Sequence, residues 1–584
     1  MPVSLIESDS LLAVDIGAAT TRAVLFDVVE GQYRFVSSGQ APSTAEAPYK
    51  DVSEGVRSAI NQVEAVTGRT MLGSDGQLIS PSQSDGSGVD SFVATLSAGP
   101  TLAAVVVGLL PDASTESARR LTETTYARIV DTISLNDRRR ADELIDGLLR
   151  LRADLVVMTG GTDGGASRSI QKMLEPIGLA SYLLPEEYRP SILFAGNQKM
   201  ENEVRTLMGP LAPSLHFSPN VRPSLETEDL DPAGRELAKL FMDVRRRQLK
   251  GVDVIEGWSH GHVFPTGYAT GRMMRFLSKV YGSSKGILSV DLGASAAVLA
   301  AGFKDKSTLG VYPQFGLGEN LPGLLNYTTL EEIAGWSPVE IRIETLREYL
   351  YQKSLYPSTV PATREDMAMS QAIARQALRL AMQTARRDFP RSASVMRPGL
   401  TPVFDPILAG GAAISDAPSP GQSLLLLLDA LQPVGVSTVI LDQNRLLSLL
   451  GAAAGRNSLL PVQILESGAF MSLGTVVSPV GTAPFGAVAL QARLAYEDGT
   501  EARAEVKSGS LAVLPLPAGQ AARLHVQPAG GLDAGFGAGR EGTFPVSGGA
   551  LGVVFDGRGR PLGLPADPAR RRELIKNWYW ALGG

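Results

Sequence analysis

The sequence predicts an α/β protein of two related lobes with a β-rich region on the C-terminal side. Three observations carry this expectation. The chain has 584 residues, more than one core holds, since single hydrophobic cores stop growing near about 250–300 residues. A strand–turn–strand unit occurs twice. The texture of the sequence changes after about residue 456.

The first copy of the unit begins at Leu11 with LLAVDIGAATTRAVLFD. It reads as an apolar strand, a tight glycine-containing turn and a second strand rich in Val, Leu and Phe. Residues 154–166, DLVVMTGGTDGGA, follow as a buried strand running into a glycine-rich turn, and residues 191–197, SILFAGN, as another short strand. The second copy begins at Gly286 with GILSVDLGASAAVLAAGF. Residues 405–413, DPILAGGAA, and 437–442, STVILD, follow it. Gly160 to Leu193 is 33 residues and Gly410 to Ile440 is 30, so the late strands keep step. Helical patterns fill the gaps at 115–133 and 364–388. A duplicated unit of this size implies two related α/β lobes. Residues 68–90 and 218–234 read as loops, the first rich in Gly, Ser and Asp. After residue 456, runs such as FGAVALQARLAY and GSLAVLPLP are separated by Gly, Pro and Asp, an all-β pattern. The expected organisation is a first lobe at 1–200, carrying the Asp15 hairpin and the GGTDGG turn, then a connecting or inserted region at 201–285. A second lobe spans 286–455, a β-rich domain 456–565, and a basic aromatic tail 566–584.

Bulk properties exclude several classes. The net charge is −6 with no broad basic surface, which argues against nucleic-acid binding. Cysteine is absent, which excludes disulfides, thiol catalysis and thiolate metal sites and fits a cytoplasmic protein. The N-terminus carries acidic residues and no basic segment, so it does not read as a signal peptide. The longest apolar runs, such as Leu102–Leu110, are too short to span a bilayer.

The two hairpins carry the chemistry. Asp15-Ile-Gly17-Ala-Ala-Thr20-Thr21-Arg22 puts a carboxylate at the end of a buried strand. Its glycine lets backbone amides approach a phosphate, its two threonines offer hydroxyls, and Arg22 adds a cation. Asp291-Leu-Gly293-Ala-Ser295 repeats the design. Two carboxylates facing one cleft would hold hydrated Mg²⁺, which takes few carboxylates plus water and phosphate. The turn Gly410-Gly411-Ala412, between a strand and a helix, leaves room for a flat nucleoside. One such hairpin alone reads as an ordinary tight turn; two in a matching frame read as a nucleotide site.

These motifs resemble the phosphate and adenosine motifs of the actin, Hsp70 and sugar-kinase superfamily, which implies ribonuclease-H-like lobes, bound ATP and Mg²⁺. More narrowly, DIGAATTRAVLFDVVEGQYRFV, FVATLSAGP, VVMTGGTDGGA, FLSKVYGSSKGILSVDLGAS, FGLGENLPGLL and AGGAAISDAPSPGQ are similar to the MutL protein associated with glutamate mutase, a family distinct from the mismatch-repair protein of that name. The resemblance covers about residues 10–455. It implies an ATPase-like protein acting as chaperone or reactivase for an adenosylcobalamin-dependent mutase. The chain departs from the family in having Arg22 for Lys and Ala296 and Ala297 for a threonine pair, so binding is expected ahead of turnover. Superfamily members often place a water-positioning polar residue after the last strand of the first lobe. Gln198 holds that place here, with an exposed loop residue as the alternative.

Lesser features read more plainly. His260 and His262 fit a loop or helix start better than a metal pair. Asp163 fits a turn among glycines. The tail, with Arg570–Arg572 and Trp578, Tyr579 and Trp580, fits an amphipathic helix packed on its own domain, or else a docking segment. Two competing functions remain: an actin-like filament or scaffold and a small-molecule kinase, for which no base is in evidence.

Overall fold

The computed structural model of the protein describes residues 9–281, 285–304, 306–390 and 392–583. Residues 1–8, part of the stretch read as lacking a signal peptide, and residues 282–284 of the GSSKGIL motif lie outside the described residues. The chain forms two compact units: Met1–Gln32, Val36–Ala269 and Leu309–Pro313 make the first, and Tyr33–Phe35, Thr270–Thr308 and Gln314–Gly584 the second.

The first unit opens with β1 (Leu11–Ile16), β2 (Thr20–Val29), β3 (Gln32–Pro42) and β4 (Ser91–Leu96). β2 returns as β3 through Glu30-Gly31, both at positive φ (53° and 75°), the requirement of a two-residue hairpin turn. β1 pairs antiparallel with β2 and parallel with β4. The chain then leaves the sheet to build β5 (Leu102–Val107), β6 (Ala127–Ile133), β7 (Leu155–Met158), β8 (Ser191–Phe194) and β9 (Leu215–Phe217) before returning as β10 (Val263–Pro265) beside β4. The finished sheet has the order β3-β2-β1-β4-β10.

The excursion is a second sheet, all parallel, of order β6-β5-β7-β8-β9. In order of appearance this is 2-1-3-4-5, the doubly wound flavodoxin-like order. Its core joins Val105, Val107, Val156, Ile192 and Phe194 to Ile170, Met173 and Ile177 of helix Ser167–Leu183.

The second unit repeats the first sheet. β11 (Gly286–Leu292), β12 (Ala297–Phe303), β13 (Lys306–Tyr312), β14 (Phe404–Gly410) and β15 (Gly435–Leu441) stand in the order β13-β12-β11-β14-β15. Again the first strand is antiparallel to the second and parallel to the fourth. Two sheets of this same mixed order are the doubled ribonuclease-H-like architecture.

The repeat is real, but its members differ from the sequence reading. The counterparts of β14 and β15 are β4 and β10; β7 and β8, in the DLVVMTGGTDGGA and SILFAGN segments, belong to the inserted sheet. The reason is physical: a buried parallel strand is a short apolar run whichever sheet it joins. The helical pattern at 115–133 also splits. Helix Glu116–Thr122 ends early and Ala127–Ile133 is β6. The 68–90 stretch is irregular but anchored by the buried side chains of Met71 and Val89.

The sheet does not stop at residue 456. β16 (Met471–Ser478) pairs antiparallel with β15. β17 (Val488–Tyr496), β18 (Glu501–Lys507), β19 (Leu511–Leu514), β20 (Ala521–Pro528), β21 (Gly542–Ser547) and β22 (Val553–Asp556) follow. β22 and β19 extend the sheet to eight strands, while β18-β17-β20-β21 form a separate four-stranded sheet. Leu490, Leu494, Val506, Leu524 and Val526 of that sheet pack on Val477, Val553 and Phe555 of the larger one. The alternation of β17, β18 and β20 follows from having one wet face.

A chain of alternating charges runs through this unit. Arg375 Nε donates to Asp429 at 2.8 Å, Arg558 Nη1 to Asp429 at 2.6 Å, Arg558 Nε to Asp556 at 2.9 Å and Arg560 Nη2 to Asp556 at 2.6 Å. None of the five residues is more than 7% exposed. Burial opposes ionisation of Asp556, but Arg558 and Arg560 outweigh it and hold its carboxyl far below the usual range. The tail helix, Pro568–Ala581, packs here. Trp578 donates to the Gly509 carbonyl at 2.9 Å and lies under Arg558, and Tyr579 bonds to Arg375 and Gln371. Asp556→Asn leaves two buried guanidinium groups under-neutralised, so we expect a loss of about 3–5 kcal/mol, read as a lower urea midpoint; a loss below about 1 kcal/mol would contradict the network's role.

The edge strand β9 is held by His216, whose ring nitrogens lie 2.8 Å from Asp243 and 3.3 Å from Glu236 on helix Asp231–Gln248. The hydrogen bond to Asp243, aided by Glu236 against burial, raises the His216 pKa above its ordinary value. A raised folded-state pKa stabilises fully below the unfolded value, about 6.5, and that contribution is lost as pH rises through the folded one. Amide exchange over residues 215–217 should be slower at pH 6 than at pH 8.5 after correction for intrinsic rates. His216→Gln should remove the difference.

Candidate functional site

In the first unit the side chains of β1 and its neighbours sort by register. Asp15 stands opposite Arg22 on β2 and Thr95 on β4, so these three share one face. Thr95 Oγ1 donates to Asp15 Oδ1 at 2.6 Å, and Thr266 Oγ1, opening helix Thr266–Tyr281, donates to the same oxygen at 3.0 Å. Hydroxyl donors orient the carboxylate without neutralising it. The turn closes with Gly17 N donating to Thr20 O at 3.0 Å. A Cβ on Gly17 would sit 2.8 Å from that oxygen, so the turn requires glycine. Ser97 N and Ala98 N, just past β4, donate to Ile16 O at 2.9 and 3.1 Å and wrap the turn. Arg22 reaches Ser38 Oγ at 3.2 Å.

Thr20 is half-buried beside the turn. Thr21 is different: it faces the other side of the sheet, fully buried, its hydroxyl 3.2 Å from where Gly55 of helix Val52–Thr67 would carry a Cβ. It reaches no ligand in the turn through its side chain.

The second unit reproduces the hairpin. Gly293 N donates to Ala296 O at 3.0 Å, and Asp291 stands opposite Val298 and Gly410. Register therefore matches Thr20 with Ala296, Thr21 with Ala297 and Arg22 with Val298. Ala296 and Ala297 are buried like Thr21, so at Ala297 a missing hydroxyl removes nothing from a phosphate. This turn is covered by a second loop. Leu317 N and Gly318 N donate to Gly293 O and Ala294 O at 3.0 and 2.9 Å. A Cβ on Gly316 would meet the Ser295 carbonyl at 2.7 Å.

The Gly-Gly turn lies directly on the end of β11. Gly411 has φ +90°, and a Cβ there would be 2.4 Å from Leu292 O; a Cβ on Gly410 would be 3.4 Å from Asp291 Oδ2. Ala412 then opens the short helix Ala412–Ser415 at the surface. Asp442, at the end of β15, accepts from Leu446 N and Leu447 N at 2.8 Å each and starts the next helix. Asp291, Gly293, Ser295, Gly410, Gly411 and Ala412 thus belong to one continuous edge of the second sheet.

Gln198 does not join Asp15. β5 starts from the connection that leaves the carboxyl end of β4, and β7 and β8 run parallel to β5. Their carboxyl ends lie at the end of the inserted sheet opposite the one where that connection enters β5. Gln198 follows the carboxyl end of β8, exposed, its backbone N donating to Asp163 Oδ1 at 3.3 Å. Asp163 also accepts from Asn220 Nδ2 at 2.9 Å and serves its loop as a turn residue. His260, at φ 51°, caps the end of helix Val252–Ser259 rather than starting one. Among the described residues no group of three or more His, Asp or Glu side chains is placed to hold a metal ion, and no helix is long and apolar enough to cross a membrane.

Sequence reasoning missed Thr95, Thr266, Ser97 and Asp442. Thr95 and Ser97 lie in FVATLSAGP, but nothing in that string marks the threonine as a partner of Asp15. Gly411→Ala, with both a positive φ and a backbone clash, should lower the melting temperature by several degrees. Gly410→Ala, whose nearest contact is an ordinary 3.4 Å, should leave it nearly unchanged; equal effects in calorimetry would contradict the geometry.

Protein MutL of Clostridium tetanomorphum is 26% identical over 206 residues, 35% of this chain and 42% of that protein, so the aligned part spans less than half of that relative. Among solved structures, nucleotide-free acetone carboxylase is 13% identical, with 86% of this chain and 81% of that one covered, at a TM-score of 0.29. The ethanolamine utilization protein EutJ from Carboxydothermus hydrogenoformans is 12% identical, covering 77% and 90%, at 0.27. Xylulose kinase from Bifidobacterium adolescentis is 12% identical, covering 79% and 93%, at 0.27. Superpositions at these scores carry no argument; the strand order and the hairpins do. The family described as MutL protein matches residues 11–468, well over half of the chain, and the chain belongs to that family.

Proposed function

We propose that the protein binds ATP with Mg²⁺ and uses it as a conformational switch on behalf of a protein client. The observation that carries this reading is the duplicated turn. Gly17 N to Thr20 O and Gly293 N to Ala296 O are both 3.0 Å, each turn with an aspartate at the end of the preceding strand. Such turns offer amides to a phosphate. Beside the second turn, Gly410 and Gly411 bring bare backbone to the edge of the sheet, where a nucleoside packs without meeting a Cβ. Asp291, and in its own unit Asp15, suit a hydrated Mg²⁺, which takes one or two carboxylates and leaves the rest to water and phosphate. The family resemblance supplies the client, an adenosylcobalamin-dependent mutase, and the role, chaperone or reactivase.

Turnover is slow in this reading. Phosphoryl transfer needs an attacking water held in line, and Gln198 lies away from the Asp15 turn. Thr20, Thr95 and Thr266 orient water but are poor bases. Titration calorimetry should show Mg-ATP binding by the full chain, abolished or strongly weakened by Asp291→Ala with the fold intact by circular dichroism. Phosphate release should be far below about 10 s⁻¹, an ordinary enzymatic rate. Absence of ATP binding would overturn the reading; fast release would point instead to a kinase or a rapid ATPase.

A further inference from the structure

The first unit buries one guanidinium that no carboxylate touches. Arg245, on helix Asp231–Gln248, is 0% exposed. Its Nη1 donates to Gln248 Oε1 at 2.6 Å and its Cζ lies 4.8 Å from the centre of the Phe241 ring. Nε and Nη2 have no hydrogen-bond partner. Burial pushes its pKa down to about 10. A buried charge in this condition is costly, and an apolar side chain of similar volume is often neutral or stabilising in its place. Packing alone therefore does not account for an arginine here.

Its surroundings do. Gly99, at φ +96°, passes over the guanidinium so closely that a Cβ would sit 2.9 Å from Nη1. Gly99 belongs to the connection Ser97–Thr101, whose first amides hold Ile16 beside the Asp15 turn. On the other side, Gln248 Nε2 donates to Asp154 Oδ1 at 3.1 Å, and Asp154 Oδ2 accepts from Ala103 N at 2.8 Å. Asp154 precedes β7 and Ala103 lies in β5, so this carboxylate ties the amino ends of two central strands of the inserted sheet. A second route runs nearby: Thr266 bonds to Asp15, and Gly267 N donates to the Tyr126 hydroxyl at 3.1 Å, while the Tyr126 ring lies 5.9 Å from Phe241.

We propose that Arg245 is a positioning residue that couples ligand at the Asp15 turn to the inserted five-stranded sheet, through Gly99 on one side and Gln248 and Asp154 on the other. The proposal rests on the nucleotide reading of that turn. A ligand that draws the Ser97–Pro100 backbone toward the turn changes what the guanidinium donors can reach. Charge-assisted hydrogen bonds are roughly twice as strong as neutral ones, so two donors are enough to bias one arrangement over another. Arg245 touches neither phosphate nor metal.

The test is hydrogen–deuterium exchange of the full chain over residues 102–107 and 155–158, with and without Mg-ATP, for wild type, Arg245→Met and Gln248→Ala. Gln248 is exposed, so its variant folds even if the buried one does not. Wild type should show a several-fold change in exchange on adding Mg-ATP. Both variants should still bind Mg-ATP by calorimetry and lose that change, with the melting temperature of Arg245→Met equal to or above that of wild type. Wild-type binding without any exchange change overturns the coupling and leaves the nucleotide reading standing. So does a Gln248→Ala protein with the full response. A lower melting temperature for Arg245→Met with its exchange response intact assigns Arg245 a structural role. Absence of Mg-ATP binding by wild type overturns both readings.

Discussion

The buried chain Arg375–Asp429–Arg558–Asp556–Arg560 is the constraint on which the second unit depends. Removing one partner of a buried ion pair is strongly destabilising, because it leaves the other charge uncompensated. Here the partners come from sequence positions far apart: Arg558 and Asp429 are 129 residues from each other. The C-terminal strands therefore cannot leave the repeat without stranding Asp429 and Arg375 in an apolar interior. The tail helix completes the enclosure, with Arg558 4.6 Å from the Trp578 ring and Arg375 5.5 Å from the Tyr579 ring. One consequence reaches the candidate site. β15 would be an exposed edge beside β14, and edges invite unwanted pairing. β16 covers it, and the charge chain holds β16 in place through β22. The Gly410 turn thus sits at the end of a central strand, not near a ragged edge.

A second constraint acts at the hairpins, and it is backbone proximity. Gly17, Gly411, Gly316 and Gly318 each stand where a Cβ would press into a carbonyl within 3 Å. The polypeptide is folded onto itself at those places so that main-chain groups, not side chains, form the surface. The two copies then diverge in what surrounds them. The first has Arg22 opposite its aspartate and hydroxyls from Thr95 and Thr266 upon it. The second has Val298 there and a cover of glycines from 316–318. Equal turns with unequal surroundings fit halves that share a backbone task and divide the electrostatic one.

The hairpins were legible because they are local: Asp, Gly and the flanking apolar runs of the first lie within the 17 residues 11–27, and each turn is fixed by its own glycine. The doubling was legible for the same reason. The partners of β1 and β11 were not, because pairing is decided by which buried strand arrives alongside, and Val156 and Val93 look alike in a string. FVATLS was in view, yet the more glycine-rich VVMTGGTDGG drew the assignment. Gln198 follows β8, a strand of the inserted sheet, which looks the same in the string as a strand of the Asp15 sheet. The charge chain was invisible: Asp556, Arg558 and Arg560 stand in DGRGRP, which reads as a polar turn and becomes a core only once β22 is paired.

The site of the insertion bears on what the inserted sheet is for. An excursion returning between β4 and β10 could have left from any loop of the first unit. It leaves at the carboxyl end of β4, the end at which the Asp15 turn lies, and its return as β10 runs straight into Thr266, which donates to Asp15 at 3.0 Å. The outgoing junction of the inserted sheet is thus hydrogen-bonded to the turn, through Ser97 and Ala98 to Ile16, and the return strand β10 ends at the same place, where Thr266 bonds to Asp15. Loops are where proteins tolerate insertions most readily, and a distal loop would have left the turn undisturbed. An insertion that leaves from the candidate ligand-binding turn is instead mechanically connected to it. A shift of the turn on binding reaches the outgoing junction directly. The connection over Gly99 is the one lined by a buried charge with donors to spare.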